Sequence, residues 1–133
     1  QPIAEESLLL VTPAAVTTPD WATLVQLGFI DHPDGAHHAG LLLGANYPEI
    51  QHNNLFEKKG FSNQINLILE PVSMGLGFTV LPAHAVAAFQ QPQRINSHRL
   101  VHPVSEILHL VVNRNRALPN RVHSVIAEAR KWL

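Results

Sequence analysis

The chain of 133 residues contains no cysteine. That excludes disulfide staples, thiolate nucleophiles and cysteine metal clusters, and it fits a reducing, cytoplasmic setting. Charge of one sign is also missing: nine Lys and Arg stand against ten Asp and Glu, for a net charge of -1. Neutralising a phosphate backbone needs a basic excess, and no basic run exceeds Lys58-Lys59, so the chain itself is not expected to hold nucleic acid. No apolar run approaches the roughly 20 residues of a membrane helix, so no membrane partner is expected. The opening QPIAEESLLLV has no basic leader before its apolar stretch and does not read as a signal peptide. It has no initiator Met either, and the expectation is an excised piece of a longer product. What is present, 46% hydrophobic and 14% charged residues, fits one ordered domain with a real core.

Leu8 to Val11 is a short continuous apolar run ended by Thr12-Pro13, the pattern of a buried strand. Thr18-Pro19-Asp20 suits a helix start, with Thr18 as N-cap and Pro19 at the first helical position. A short helix through Leu24 follows. Gly28 to Ile30 reads as a second strand, stopped by His32-Pro33-Asp34-Gly35, and Ala36 to Ala45 as a helix weakened by Gly40 and Gly44. Gln51 to Lys59 is polar, with a strand expected in its later part. Ile65, Ile68, Leu69, Val72 and Leu76 repeat at helical spacing and predict one long helix, kinked by Pro71 and closed by Gly75 and Gly77. Phe78 to Leu81 is a strand short and apolar enough to be buried on both faces. Ala83 to Phe89 resumes as helix, Arg99 to Val101 and Ile107 to Val112 as strands, and Pro119 opens a last helix with Val122, Val125, Ile126 and Ala129 on one face. Alternating strands and helices predict an α/β fold with a largely parallel sheet flanked by helices.

Nine histidines raise the question of a metal, but no HExxH occurs, no His pair at i and i+4 has a carboxylate beside it, and there is no Cys partner. Scattered surface histidines are the preferred reading, with no metal and no cofactor. Gly75-Leu76-Gly77 lacks the third glycine of a dinucleotide fingerprint and follows a helix rather than a strand. No GxSxG elbow is present, and the acidic residues show no catalytic spacing. Nothing in the residues argues for an enzyme. A binding site is a better expectation, because open α/β sheets collect ligands where strands end and helix N-termini begin. Three such places are Asp31, His32 and Asp34 after the second strand, Ser62, Asn63 and Gln64 before the long helix, and Thr79 and Val80 near the end of the buried strand.

The stretch Gly60 to Pro82, GFSNQINLILEPVSMGLGFTVLP, resembles the effector domain of bacterial LysR-type transcriptional regulators. In that family a helix ends in Val-x-x-Gly-x-Gly, followed by a short hydrophobic strand and Leu-Pro. Here Val72-Ser73-Met74-Gly75-Leu76-Gly77 is followed by Phe78-Thr79-Val80 and Leu81-Pro82. The flanks QPIAEESLLLVTP and RLVHPVSEILHLVVNRNRALPNRVHSVIAEARKWL also resemble the family's, so the likeness spans nearly the whole chain. It implies two lobes of periplasmic-binding-protein type II form, with residues 18–101 as a complete second lobe and residues 1–17 and 102–133 as part of an incomplete first lobe. It further implies a small-molecule effector held between lobes by Asp31 to Asp34, Ser62 to Gln64 and Thr79-Val80. DNA contact would run only through an N-terminal winged helix-turn-helix absent from this chain. Strands Leu8 to Val11 and Ile107 to Val112 would then lack their usual sheet, and such an edge predicts self-association into a homo-oligomer or an altered first lobe. The competing readings are a fragment of a periplasmic solute-binding protein, which shares the lobe architecture, and a small α/β enzyme, which rests on fold class alone.

Overall fold

The computed structural model describes residues 2–51, 56–109, 127–129 and 132. It divides into two compact units, one formed by Ser7–Val104 and the other by Gln1–Glu6 with Ser105–Leu133.

Strand β1, Pro2–Pro13, is the axis of the larger unit. It lies between β4, Thr79–Pro82, and β5, Ile95–His98, and both pairings are antiparallel. Leu10 sits opposite Val80 on one side and His98 on the other. Successive strand residues face opposite sides of a sheet, and the core divides accordingly. Leu8, Leu10 and Val80 join one cluster with Leu24, Phe29, Leu42, Leu43 and Phe78. Val11 and Leu81 join the other with Ile30, Ile68, Leu69 and Val72. A continuous apolar strand is therefore read correctly as buried on both faces.

The direction of pairing departs from the sequence expectation. Parallel pairing joins β2, Phe29–Asp31, to β3, Lys58–Phe61, and a parallel bridge links Phe29 and Phe78. The fold is α/β, but its central strands run antiparallel. An unbroken apolar run says that both faces are covered and says nothing about direction. Strand Leu8 to Val11 is likewise not an uncovered edge, because β4 and β5 flank it. In the smaller unit β6, Ser105–His109, pairs with β1. The rest of the expected strand to Val112, and most of the expected last helix, lie outside the described residues. Residues 127–129 are helical and exposed.

Helix α1, Trp21–Leu27, begins two residues later than Thr18-Pro19 suggested. Asp20 is the N-cap, its carboxylate accepting the Thr23 N–H at 2.8 Å. Hydrogen bonding from the Thr23 side chain, and then from its backbone N–H, holds the Asp20 carboxyl below its ordinary value. Helix α2, Gly35–Asn46, buries Gly35, His38, Ala39, Leu42 and Leu43, the i, i+3, i+4, i+7, i+8 stripe of a helix packed on a sheet. The long helix expected from Ile65 to Leu76 is instead a 3-10 turn, Ile65–Leu67, followed by α3, Leu69–Ser73. Pro71 supplies the reason. It has no N–H to offer the Leu67 carbonyl and is tolerated only in a first turn, so the α-helix starts just before it. Ile68, Leu69 and Val72 are buried, whereas Ile65 and Leu76 are exposed. Gly75, at φ +82°, ends α3 in the left-handed region. Helix α4 spans Ala83–Ala87. The strand expected at Arg99 to Val101 is β5, Ile95–His98, which starts four residues earlier.

Candidate functional site

The end of β2 is built around Asp31. One carboxylate oxygen accepts the His32 N–H at 2.9 Å, the other lies 3.1 Å from Lys58 Nζ on β3, and the Asp31 carbonyl accepts the Ser62 N–H at 3.1 Å. The chain then turns sharply, the Gly35 N–H bonding the His32 carbonyl at 2.8 Å. A Cβ at Gly35 would lie 2.3 Å from an Asp31 carboxylate oxygen and 3.2 Å from the Phe29 ring, so this turn needs glycine. Asp31 therefore holds the turn that starts α2.

His32 follows, and its ring is buried. Nε2 lies 2.9 Å from the Val80 carbonyl. A carbonyl only accepts, so Nε2 carries a proton and donates it there. The His38 ring lies 5.7 Å away, centroid to centroid, on the buried stripe of α2. Asp34 is exposed at the N-terminus of α2, and its side chain makes no capping bond there.

From the other side comes the segment before α3. The Ser62 hydroxyl accepts the Gln64 N–H at 3.1 Å and turns back on its own backbone. Gln64 is exposed, and its carbonyl accepts the Leu67 N–H at 2.9 Å. Asn63, also exposed, reaches a cavity of about 260 Å³. His32, Asp34, His38, Asn63 and His84 give this cavity its polar groups, and Ile65, Ile68 and Leu81 much of its apolar surface.

The structure thus brings His32, Asp34 and Asn63 to one cavity. Asp31, Ser62 and Gln64 support the two turns that carry them, outside its lining. Thr79 and Val80 are placed elsewhere, both 0% exposed in the sheet. The Thr79 hydroxyl donates to the Ile30 carbonyl at 2.9 Å, and Val80 contributes only the carbonyl that holds His32. Sequence reasoning missed His38 and His84. His38 was signalled by its place on the α2 stripe. His84 lies in the first turn of α4, where the rule of strand end and helix start points once β4 is carried through to Pro82. Three imidazoles around one cavity are a donor set for hydrogen bonding, but among the described residues no group of three or more His, Asp or Glu is placed to hold a metal ion.

Also among the described residues, no helix is long and apolar enough to cross a membrane. No curated protein matches the sequence. Solved structures do. The chain superposes on HinK, a LysR family transcriptional regulator from Pseudomonas aeruginosa, with a TM-score of 0.67 at 14% identity, covering 100% of this chain and 47% of that one. It matches the effector binding domain of QuiR in complex with shikimate at TM-score 0.65 and 12% identity, covering 98% and 63%. Full-length CbnR complexed with its target DNA matches at 0.55 and 20% identity, covering 98% and 44%. At these identities the likeness establishes the fold, and the chain spans between about two fifths and two thirds of each of those proteins. A family profile, the LysR substrate binding domain, matches residues 1–133 in full. The chain belongs to the LysR substrate binding domain family.

Proposed function

We propose that this chain is the effector-sensing part of a bacterial LysR-type transcriptional regulator, and that its small-molecule effector contacts His32, Asp34 and Asn63. The observation that carries the reading is the family match over residues 1–133. The cavity supports it, because strand end, helix start and convergent polar groups meet there. The same fold in QuiR holds shikimate, and in CbnR it belongs to a protein bound to its target DNA. In this reading residues 18–101 form the second lobe, and residues 1–17 and 102–133 belong to the first. Asp31, Ser62 and Gln64 shape the effector site, with Thr79 and Val80 behind it. The whole regulator is a cytoplasmic homo-oligomer that reaches DNA through an N-terminal winged helix-turn-helix, and it performs no catalysis. Its mechanism is a population shift: an effector that binds one lobe arrangement better moves the equilibrium toward it. The family match weighs against a periplasmic solute-binding fragment.

The test is a screen of small organic acids, amino acids and aromatic compounds against the isotope-labelled chain by heteronuclear NMR. A hit should shift the amides of His32, Asp34 and Asn63 and lose affinity in Asn63→Ala. A hit that binds with its shifts confined to other parts of the chain refutes the site.

A further inference from the structure

The two carboxylates of the turn after β2 are placed differently. Asp31 is neutralised by Lys58, accepts the His32 N–H, and lies outside the lining of the polar cavity. Asp34 lines that cavity, is exposed, and makes no capping bond at the start of α2. Among the described residues no Lys or Arg shares the lining with it, so with imidazole counted as neutral the formal charge on the wall is negative. The other polar groups do not reverse this. The Nε2 proton of His32 is committed to the Val80 carbonyl and is not a donor for an anion. Asn63 brings an amide that accepts through Oδ1 as readily as it donates. The N-terminus of α2, which would otherwise draw an anion, already has the Asp34 carboxylate beside it. Pro33, Ile65, Ile68 and Leu81 add apolar surface, of which Ile65 remains 54% exposed.

We infer that the cavity takes a small organic ammonium with a compact apolar body, its N–H groups donating to the Asp34 carboxylate and the Asn63 amide oxygen. The inference rests on the proposed reading of this cavity as the effector site. Charge selects the head: an ammonium gains a charge-assisted hydrogen bond at Asp34, a hydroxyl gains a weaker neutral one, and a carboxylate meets like charge. Shape selects the body. At about 260 Å³ the cavity falls just under the roughly 300–1,000 Å³ of sites that enclose a drug-sized ligand, so the ligand is small. Its apolar part is favoured because covering Ile65 removes hydrocarbon from water.

Cyclohexylamine, cyclohexanol and cyclohexanecarboxylate share one ring and differ in the head group, and NMR titration of the labelled chain near neutral pH compares them. The amine should bind about tenfold more tightly than the alcohol, the carboxylate more weakly than either, with amide shifts at His32, Asp34 and Asn63. Added sodium chloride should weaken the amine and leave the alcohol unchanged, because the charge it meets is exposed. Asp34→Asn is tolerated at a helix start and should bring the amine down to the alcohol's affinity, with its salt dependence lost and the unfolding midpoint unchanged. Equal affinity for the three heads, or tightest binding of the carboxylate at the same amides, overturns the ammonium and leaves the effector cavity standing. A preference for the amine that survives in Asp34→Asn also overturns it. Absence of any shift with all three overturns it as well, and the broader screen then decides the cavity separately.

Discussion

Gly28→Ala is the sharpest test of how the site is supported, because two separate costs act at one atom. Gly28 joins α1 to β2 at φ +81° and ψ 169°. That region is open to glycine and costs other residues on the order of 1–3 kcal/mol. An added Cβ would also lie 2.4 Å from Lys59 Cγ and 2.9 Å from the Glu57 carbonyl oxygen. The Lys59 stem can swing aside, losing only an exposed ion pair with Glu57 that contributes little. The Glu57 carbonyl has no such freedom, since it accepts the Phe29 N–H at 2.8 Å. Overpacking of this kind costs about 1–3 kcal/mol. Together the two effects amount to about 2–6 kcal/mol, a large share of the roughly 5–15 kcal/mol that holds a domain folded. Gly44→Ala is the matched control. It lies on the exposed face of α2 with no atom within 4 Å of the added methyl, and it should stabilise by about 0.8–1 kcal/mol through helix propensity. Urea unfolding followed by Trp21 emission reads both, because Trp21 packs at 5.9 Å from Tyr47 and 4.9 Å from Phe56. Trp132 is 82% exposed, so its emission should change little. The Gly28→Ala midpoint should fall by about 1 M or more. An unchanged midpoint and slope for Gly28→Ala, or a loss of stability in Gly44→Ala, would refute the reasoning.

Asn63→Ala should leave the unfolding midpoint within about 0.5 kcal/mol of the parent while abolishing the effector response, whereas Thr79→Ala should cost about 1–3 kcal/mol by removing a buried hydroxyl. Thr79→Ser keeps the bond to the Ile30 carbonyl and should restore most of that loss; equal damage from both would sink the assignment. Tyr47→Phe removes the hydroxyl that donates to the Pro19 carbonyl but keeps the ring beside Trp21, so a loss of about 1 kcal/mol with unchanged Trp emission is expected. Burial holds His98 below its ordinary 6.5, with Nε2 2.7 Å from the Thr12 hydroxyl. The unfolded chain therefore takes up this proton first as pH falls. Its contribution is fully present above about pH 6.5 and declines below that, toward the lowered folded-state value. His98→Gln should show a shallower loss of stability between pH 6.5 and 5 than the parent; parallel curves would exclude the linkage.

How much of this was legible in the sequence depends on which physical signal each element carries. Helix α2 could be read because its buried residues repeat at helical spacing over three turns. Strand β1 could be read because Leu8 to Val11 is apolar without a break. Strand β5 could not: Asn96, Ser97 and His98 have no apolar alternation, and they form a strand because β1 offers a free side for pairing. The segment from Ile65 to Leu76 misled because a helical stripe does not reveal that Pro71 must sit in a first turn. At the candidate site, the meeting of His32, Asp34 and Asn63 follows from the rule that strand ends and helix starts converge. Thr79 and Val80 satisfied the same rule on paper, but their register opposite Val11 and Leu10 sets them within the sheet rather than at its mouth.

That register also separates fixed from adaptable parts of the cavity. The His32 ring is tied to the carbonyl of Val80, a residue paired with Leu10 on the central strand, so turning the ring would leave a buried polar group unsatisfied at a cost of about 1–3 kcal/mol. An effector that needs His32 to move must supply that much in new contacts before it gains anything. Asp34 and Asn63 lie exposed on turns whose backbones are held by other groups, namely the Asp31 carboxylate and the Ser62 hydroxyl. Their side chains reorient without breaking the scaffold. Substitution at His32 should therefore register as lost stability together with lost binding. Substitution at Asp34 or Asn63 should register in effector binding without loss of stability, which makes those two positions the place to look for changed effector specificity.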